Sequence, residues 1–310
     1  VTTLGEMIDE TLINLSGYTY QQDRSTYLTS AVTTLTSPSS SPTVLSLGST
    51  DSVGKGIIEV DEELMWVSSF DRVGNTATIA PYGRGYLGTT AATHTVDSKV
   101  TISPIFPRYV VKRAINDTIR AMGASFTILG QTTFTFNPAV TTYALKDSNG
   151  NYLDIEQVQN VSWQAIGPSK EWINVRHFTF DPKAEESVWG TGAQTITLGD
   201  YITAGRTVKV NYLVKPSAMS NTSDVFTTTT GYPESARDVV ILGAAYRLLT
   251  YLDPARASQI SPQADEIDAK RSFGSANNSA RQIYALYQQR LKEEIATYQA
   301  QYPVRVHYSR

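Results

Sequence analysis

The chain has no cysteine, only three histidines among 310 residues, and little charge, with Asp, Glu, Lys and Arg making up 18%. Without cysteine there is no disulfide, thiolate zinc site, iron–sulfur cluster or cysteine nucleophile, and the redox compartment stays open. With 26 basic against 29 acidic residues the net charge is −3, so the basic excess of an electrostatic nucleic-acid binder is missing. Long apolar runs are missing too. The longest, Val239 to Ala245, falls far short of the ~20 residues of a spanning helix. The first ten residues carry Glu6, Asp9 and Glu10, where a secretory leader has basic residues followed by an apolar core. The expectation is a soluble protein made in a cytoplasm, whose N-x-S/T tripeptides at Asn14, Asn116, Asn160, Asn221 and Asn277 are chance matches.

Ser and Thr, by contrast, make up about a fifth of the chain, and there are 18 tyrosines. Thr and Tyr suit the half-buried face of a β-sheet. At roughly 150 residues per domain, the length points to about two domains.

Periodicity places the helices. Thr3-Leu4-Gly5-Glu6 is a capping box, followed by the stripe Leu4, Met7, Ile8, Leu12 and Leu15 as far as Gly17. A second helix starts at Pro107 and runs to Met122, with Val110, Val111, Ala114, Ile115, Thr118, Ile119 and Met122 on one face and Gly123 as its stop. Pro233 to Leu252 is a third, ended by Asp253-Pro254. Ser279 to Gln299 is a fourth, with the seam Ala280, Tyr284, Tyr287, Leu291, Glu294 and Tyr298, imperfect because it contains Glu294. Linkers are expected at Ser37 to Pro42 and Thr227 to Thr230, and a loop at 255–276.

Two regions read as β. Residues 43–105 contain the runs Val44–Leu47, Ile57–Val60, Glu63–Val67, Thr76–Ala80 and Lys99–Ile102, at a spacing that suits a small barrel or sandwich. Residues 130–215 contain a hairpin from Tyr143 to Ile155 that turns through Asn149-Gly150, the signature of a type I′ turn. They also contain the alternating runs Val175–Phe180 and Thr207–Val214, read as partners, and Thr195–Leu198. The expected architecture is α+β, a helical bundle module discontinuous in sequence with two inserted antiparallel β domains. Its parts are an N-terminal helix (1–17), a first β domain (43–105), a helix (107–123), a second β domain (130–215), C-terminal helices (233–301) and an extended tail (302–310).

The catalytic templates fail one by one. Gly83-Arg84-Gly85-Tyr86-Leu87-Gly88 matches G-x-G-x-x-G, but no apolar helix and no distal acidic residue follow, so it reads as a tight turn. Asp147 to Asn151 has its glycine at the wrong place for a calcium loop. His94, His177 and His307 lack ligand partners at metal spacing and read as hydrogen-bonded surface residues. Glu62-Glu63 and Glu185-Glu186 read as solvated loop charges, because sequence neighbours on a strand face opposite ways. No G-x-S-x-G or H-E-x-x-H occurs. Neither an enzyme nor a cofactor is expected. Trp163, Trp172 and Trp189 fit core or subunit packing better than a sugar-stacking platform. In the tail, Tyr302, Val304, Val306 and Tyr308 alternate with polar residues and proline. That period suits strand addition to another chain's sheet edge, with a strand returning to its own β domain or a frayed end as the alternatives.

Glu63-Leu64-Met65-Trp66-Val67 followed by Arg84-Gly85-Tyr86-Leu87-Gly88-Thr89-Thr90-Ala91-Ala92-Thr93-His94 resembles a module of tailed-phage virion proteins. Its pattern is approximately R-G-x-x-G-T-x-A-x-x-H-x-x-G-x-x-V, and Asp97 stands here where glycine is usual. Residues 236–299 are similar to the helices of phage head-to-tail connector (adaptor) proteins. The resemblance implies a structural virion protein of the neck, assembled in the host cytoplasm as a ring, a dodecamer in such families. It would sit between the portal protein and a tail or stopper protein, with DNA passing through without sequence-specific binding and no membrane contact. On this reading Tyr302, Val304, Val306 and Tyr308 dock on the portal, and Tyr284, Tyr287 and Leu291 pack helices. The alternatives are a tail or baseplate protein that binds a host carbohydrate or receptor through its tryptophans, and a glycan-cleaving virion enzyme.

Overall fold

A computed structural model of the chain describes residues 1–16, 24–33, 43–167, 170–250 and 275–301. The linker at 37–42, nearly all of the 255–276 loop and the 302–310 tail lie outside the described residues. Helix α1 (Leu4–Ser16) starts on its capping box: Thr3 Oγ1 accepts the Glu6 N–H at 3.3 Å, and Glu6 Oε2 accepts the Thr3 N–H at 2.8 Å. The next strands are β1 (Arg24–Tyr27), β2 (Val44–Ser46), β3 (Gly56–Val60), β4 (Glu63–Asp71), β5 (Thr76–Ile79) and β6 (Lys99–Ile102). They form one antiparallel sheet in the order β1-β6-β3-β4-β5-β2. Its two edges meet again. Leu28 bridges Leu47, with Thr29 N–H bonded to Ser46 O and Gly48 N–H to Tyr27 O, both at 2.9 Å. The sheet therefore closes into a small barrel around Leu28, Leu45, Ile58, Met65, Val67 and Val100, which removes its free edges.

Helix α2 (Arg108–Met122) follows Pro107 and buries Val111, Ala114, Ile115, Thr118, Ile119 and Met122. Val110, one helical step off that stripe, is exposed. The second β region comprises β7 (Ile128–Thr135), β8 (Thr142–Ala144), β9 (Gln157–Gln164), β10 (Trp172–Asn174), β11 (Phe178–Asp181), the short helix α3 (Glu186–Trp189), β12 (Thr195–Leu198) and β13 (Thr207–Val214). It consists of two sheets, β10-β9-β13-β7 and β11-β12-β8, which share a core of Leu145, Val161, Ile196, Val208 and Val210.

The expected pairing of 175–180 with 207–214 does not occur. Strand β13 lies between β9 and β7, which match its eight residues, while the four-residue β11 pairs with the four-residue β12. The 147–151 turn is not type I′ either, since Gly150 (φ 86°) has a positive φ there and Asn149 does not. The Asp147 carboxylate accepts the Asn149 and Asn151 N–H groups at 2.8 Å each, an Asx arrangement that favours a wider loop.

After β13 come α4 (Phe226–Thr230), α5 (Arg237–Thr250) and α6 (Ser275–Gln301). The expected Thr227–Thr230 linker is thus a helical turn. Buried Phe226 anchors it, Thr230 Oγ1 donates to Phe226 O at 2.7 Å, and Gly231 ends it at φ 79°. Helix α5 packs against α1, α2 and α6. It crosses closely at Gly243, where an added Cβ would stand 2.2 Å from the Thr118 methyl.

Among the described residues the fold is mixed α+β with three antiparallel sheets. Helices and strands interleave more than a bundle with two simple insertions would require. α3 sits inside the second β region, that region splits into two sheets, and Thr3, just before α1, pairs with Val225, just before α4. The physical reason is that short pieces such as α4 are held by a few buried side chains, here Phe226 and Thr230, that periodicity does not reveal.

Candidate docking elements and a buried charge node

The sharpest local chemistry lies at the mouth of the barrel. Glu63 opens β4 and is 1% exposed. Its Oε1 accepts Arg84 Nε at 2.6 Å and the Gly85 N–H at 2.9 Å. Its Oε2 accepts Arg84 Nη2 at 2.8 Å and the Ala92 N–H at 2.9 Å, and lies 2.9 Å from His94 Nε2. His94 Nδ1 lies 2.7 Å from Asp61 Oδ2. With a carboxylate at each ring nitrogen, both nitrogens donate and the ring is an imidazolium. Burial works against that charge, but the hydrogen bonds to Asp61 and Glu63 outweigh it and raise the pKa to about 9. Burial likewise opposes the Glu63 carboxylate, yet bonds from Arg84, His94, Ala92 and Gly85 hold it at about 2.

Of the marked residues of the R-G-x-x-G-T-x-A-x-x-H run, Arg84, Gly85 and His94 meet Glu63 directly, Thr89 braces the turn beside it, and the unmarked Ala92 adds its backbone. Gly85 (φ 60°) turns the chain so that its N–H meets Glu63, and a Cβ there would stand 2.8 Å from Thr89 O. Thr89 Oγ1 accepts the Leu64 N–H at 3.1 Å and donates to Tyr86 O at 3.0 Å. Ala92 supplies its N–H to Glu63 and its carbonyl to Arg84. Glycine-rich spacing that superficially fits a nucleotide site thus builds a tight, charge-locked turn.

Two sequence expectations are corrected. His94 is buried, not a surface residue, and Glu63 is no solvated loop charge; the missed signal is that Glu63 and Arg84 stand 21 residues apart. His177 is exposed, with Nδ1 2.5 Å from Asp200 Oδ1, and Glu185 and Glu186 are exposed as well. Among the described residues no group of three or more His, Asp or Glu is placed to hold a metal, and no helix is long and apolar enough to cross a membrane.

The candidate docking and packing residues fall into different places. Tyr302, Val304, Val306 and Tyr308, with His307, lie outside the described residues. Tyr287 and Leu291 are buried in the helical core, whereas Tyr284 is half-exposed and meets Tyr246 edge-on, ring centroids 5.0 Å apart. Glu294 in the seam is buried, accepting from Ser235 Oγ at 2.8 Å and Arg290 Nη2 at 3.0 Å. Trp163 packs on the second β core, Trp172 is exposed under Lys209 Nζ at 4.1 Å, and the Trp189 carbonyl accepts the Tyr152 hydroxyl. No ring contact joins the three tryptophans among the described residues.

Residues 89–307 match the sequence model of the family described as SU10 adaptor protein, well over half of the chain. The chain belongs to that family. The adaptor is thus a structural, non-catalytic protein of the phage head-to-tail connector, acting by docking to other proteins. The matched stretch takes in the His94 side of the charge node, α2, the second β region and the C-terminal helices. No curated protein matches the chain.

Proposed function

We propose that the adaptor forms a closed ring in the virion neck, between the portal and a tail or stopper protein, with DNA passing through its channel. The helices make one module and the two β regions are insertions that contact neighbouring copies. Head-to-tail contacts of this kind close into a ring when the rotation per subunit fits, and the family resemblance makes that ring a dodecamer assembled in the host cytoplasm. Residues 302–310 dock on the portal through Tyr302, Val304, Val306 and Tyr308. The observation that carries this reading is the anchoring of α6. Tyr287 and Leu291 fix the helix in the helical core, and Tyr298 packs on Phe126 with ring centroids 5.2 Å apart. The helix thus runs from the helical core, held as far as Tyr298, to Gln301, where the alternating segment begins.

The test is binding of the purified adaptor to the portal of the same phage, with and without residues 302–310. Deletion should abolish binding while leaving the circular dichroism and melting of the fold unchanged. Undiminished binding by a folded deletion variant would contradict the assignment.

A further inference from the structure

Strand β7 is an edge strand, paired with β13 on one side only. Phe136 N–H bonds to Arg206 O at 2.8 Å and Gly205 N–H to Phe136 O at 2.9 Å. In this register Phe134 stands opposite Val208 and Thr132 opposite Val210. The even-numbered residues of β7 therefore exchange their backbone bonds with β13, and the odd-numbered ones direct N–H and C=O away from the sheet.

A tyrosine hydroxyl meets that outward row at each end. The Leu129 N–H donates to the Tyr298 hydroxyl of α6 at 3.0 Å. The Asn137 N–H donates to the Tyr143 hydroxyl at 2.8 Å, which in turn donates to Asn137 O. Between them Gln131, Thr133 and Thr135 are exposed, and no hydrogen bond reaches their N–H groups among the described residues. Such an edge is a template for another strand.

We propose that in the unassembled subunit this edge is covered by the chain's own residues 302–310, added as a strand beside β7. Origin, reach and pattern support that occupant. Helix α6 ends at Gln301, three residues beyond Tyr298, which already touches the start of the open edge. The open stretch from Gln131 to Thr135 is ~13 Å long, and nine extended residues reach ~30 Å. The segment alternates Tyr302, Val304, Val306 and Tyr308 with Pro303, Arg305, His307 and Ser309. A proline at its beginning suits the first position of an added strand. A groove of about 290 Å³ between α6 and the sheet, lined by Phe126, Leu129, Leu213, Ile295 and Tyr298, lies where Tyr302 would enter. The inference extends the portal-docking reading by giving the same segment a place before its partner arrives.

The test is residue-resolved amide hydrogen exchange on the full chain and on the 302–310 deletion, without portal and across a dilution series. The Gln131, Thr133 and Thr135 amides should exchange slowly in the full chain at every concentration, and roughly tenfold or more faster after deletion. The even-numbered β7 amides should not change, which shows that the sheet stays intact. In the full chain Thr133→Pro removes an outward N–H, leaves the β13 ladder bonded, and should speed tryptic cleavage at Arg305. Equal exchange of the three amides in both proteins would overturn the proposal. So would protection that appears only as copies associate, since a second copy would then cover the edge. Loss of portal binding on deletion with no change in exchange would refute this inference while leaving the docking reading standing.

Discussion

The Glu59 carboxylate of β3 accepts the backbone N–H of Arg108, the first residue of α2, at 2.5 Å. A barrel residue thus supplies the cap that Pro107, at the N-cap position, does not provide, and Glu59 does so while 3% exposed. Two further links run beside it, Lys112 Nζ to Glu62 Oε2 at 2.8 Å and Arg108 to Asp9 of α1. The first ties the barrel to α2, and the second ties α2 to α1.

Glu59→Ala should therefore lower stability by about 1–2 kcal/mol, from the lost cap and the lost charge at the helix N-terminus. Glu62→Ala removes a more exposed ion pair and should change stability by ~0.5 kcal/mol or less. Urea unfolding of the two variants beside the parent checks the contrast.

Breaking the buried node should be harsher. Arg84→Met leaves Glu63 buried with less compensation and should destabilise the chain by about 3–5 kcal/mol. Combining it with Glu63→Leu should cost less than the sum of the two single changes, because the second change removes the stranded charge. A double-mutant cycle in chemical denaturation measures the coupling.

The node also sets a pH dependence. The folded pKa of His94 is raised from 6.5 to about 9, so its contribution is full below pH 6.5 and is lost as the pH rises through 9. Glu63 is lowered from 4.5 to about 2, so its contribution is full above pH 4.5 and is lost as the pH falls through 2. The unfolding free energy from urea titrations should hold between about pH 4.5 and 6.5 and fall on the alkaline side, by an amount on the order of 3 kcal/mol. His94→Gln should flatten that alkaline fall.

Asp97 holds φ 68° with its N–H bonded to Leu28 O at 2.9 Å, at the position where the related phage module usually carries glycine. Aspartate tolerates this left-handed backbone better than most residues but still bears strain. Asp97→Gly should keep or raise stability, by up to ~1 kcal/mol, and the β-branched Asp97→Val should lower it. Thermal melts of the two variants differ in sign on this account.

Much of this architecture was legible in the sequence, and the gaps have physical causes. Periodicity located α1, α2, α5 and α6, because each has a buried stripe flanked by caps or breakers. The barrel strands β2 to β6 stood out as apolar runs between turns. Strand β1 did not, since Arg24-Ser25-Thr26-Tyr27 is a polar four-residue segment whose side chains are largely exposed. Its partner β6 lies more than 70 residues away. The node was illegible for the same reason, because Glu63, Arg84 and His94 acquire meaning only when the barrel folds them together. Local propensity misjudged 227–230, a threonine run made helical by Phe226 in the core. The open edge of β7 depends on which strands pair, and that was the part of the second β region read wrongly.

The central claim, a docking protein of the head-to-tail connector, is tested most directly by electron microscopy of the full-length adaptor mixed with its portal. Two-dimensional averages should show the adaptor as a ring centred on the portal axis. Portal particles with bare ends, beside adaptor that stays a free monomer at saturating concentration, would contradict the account.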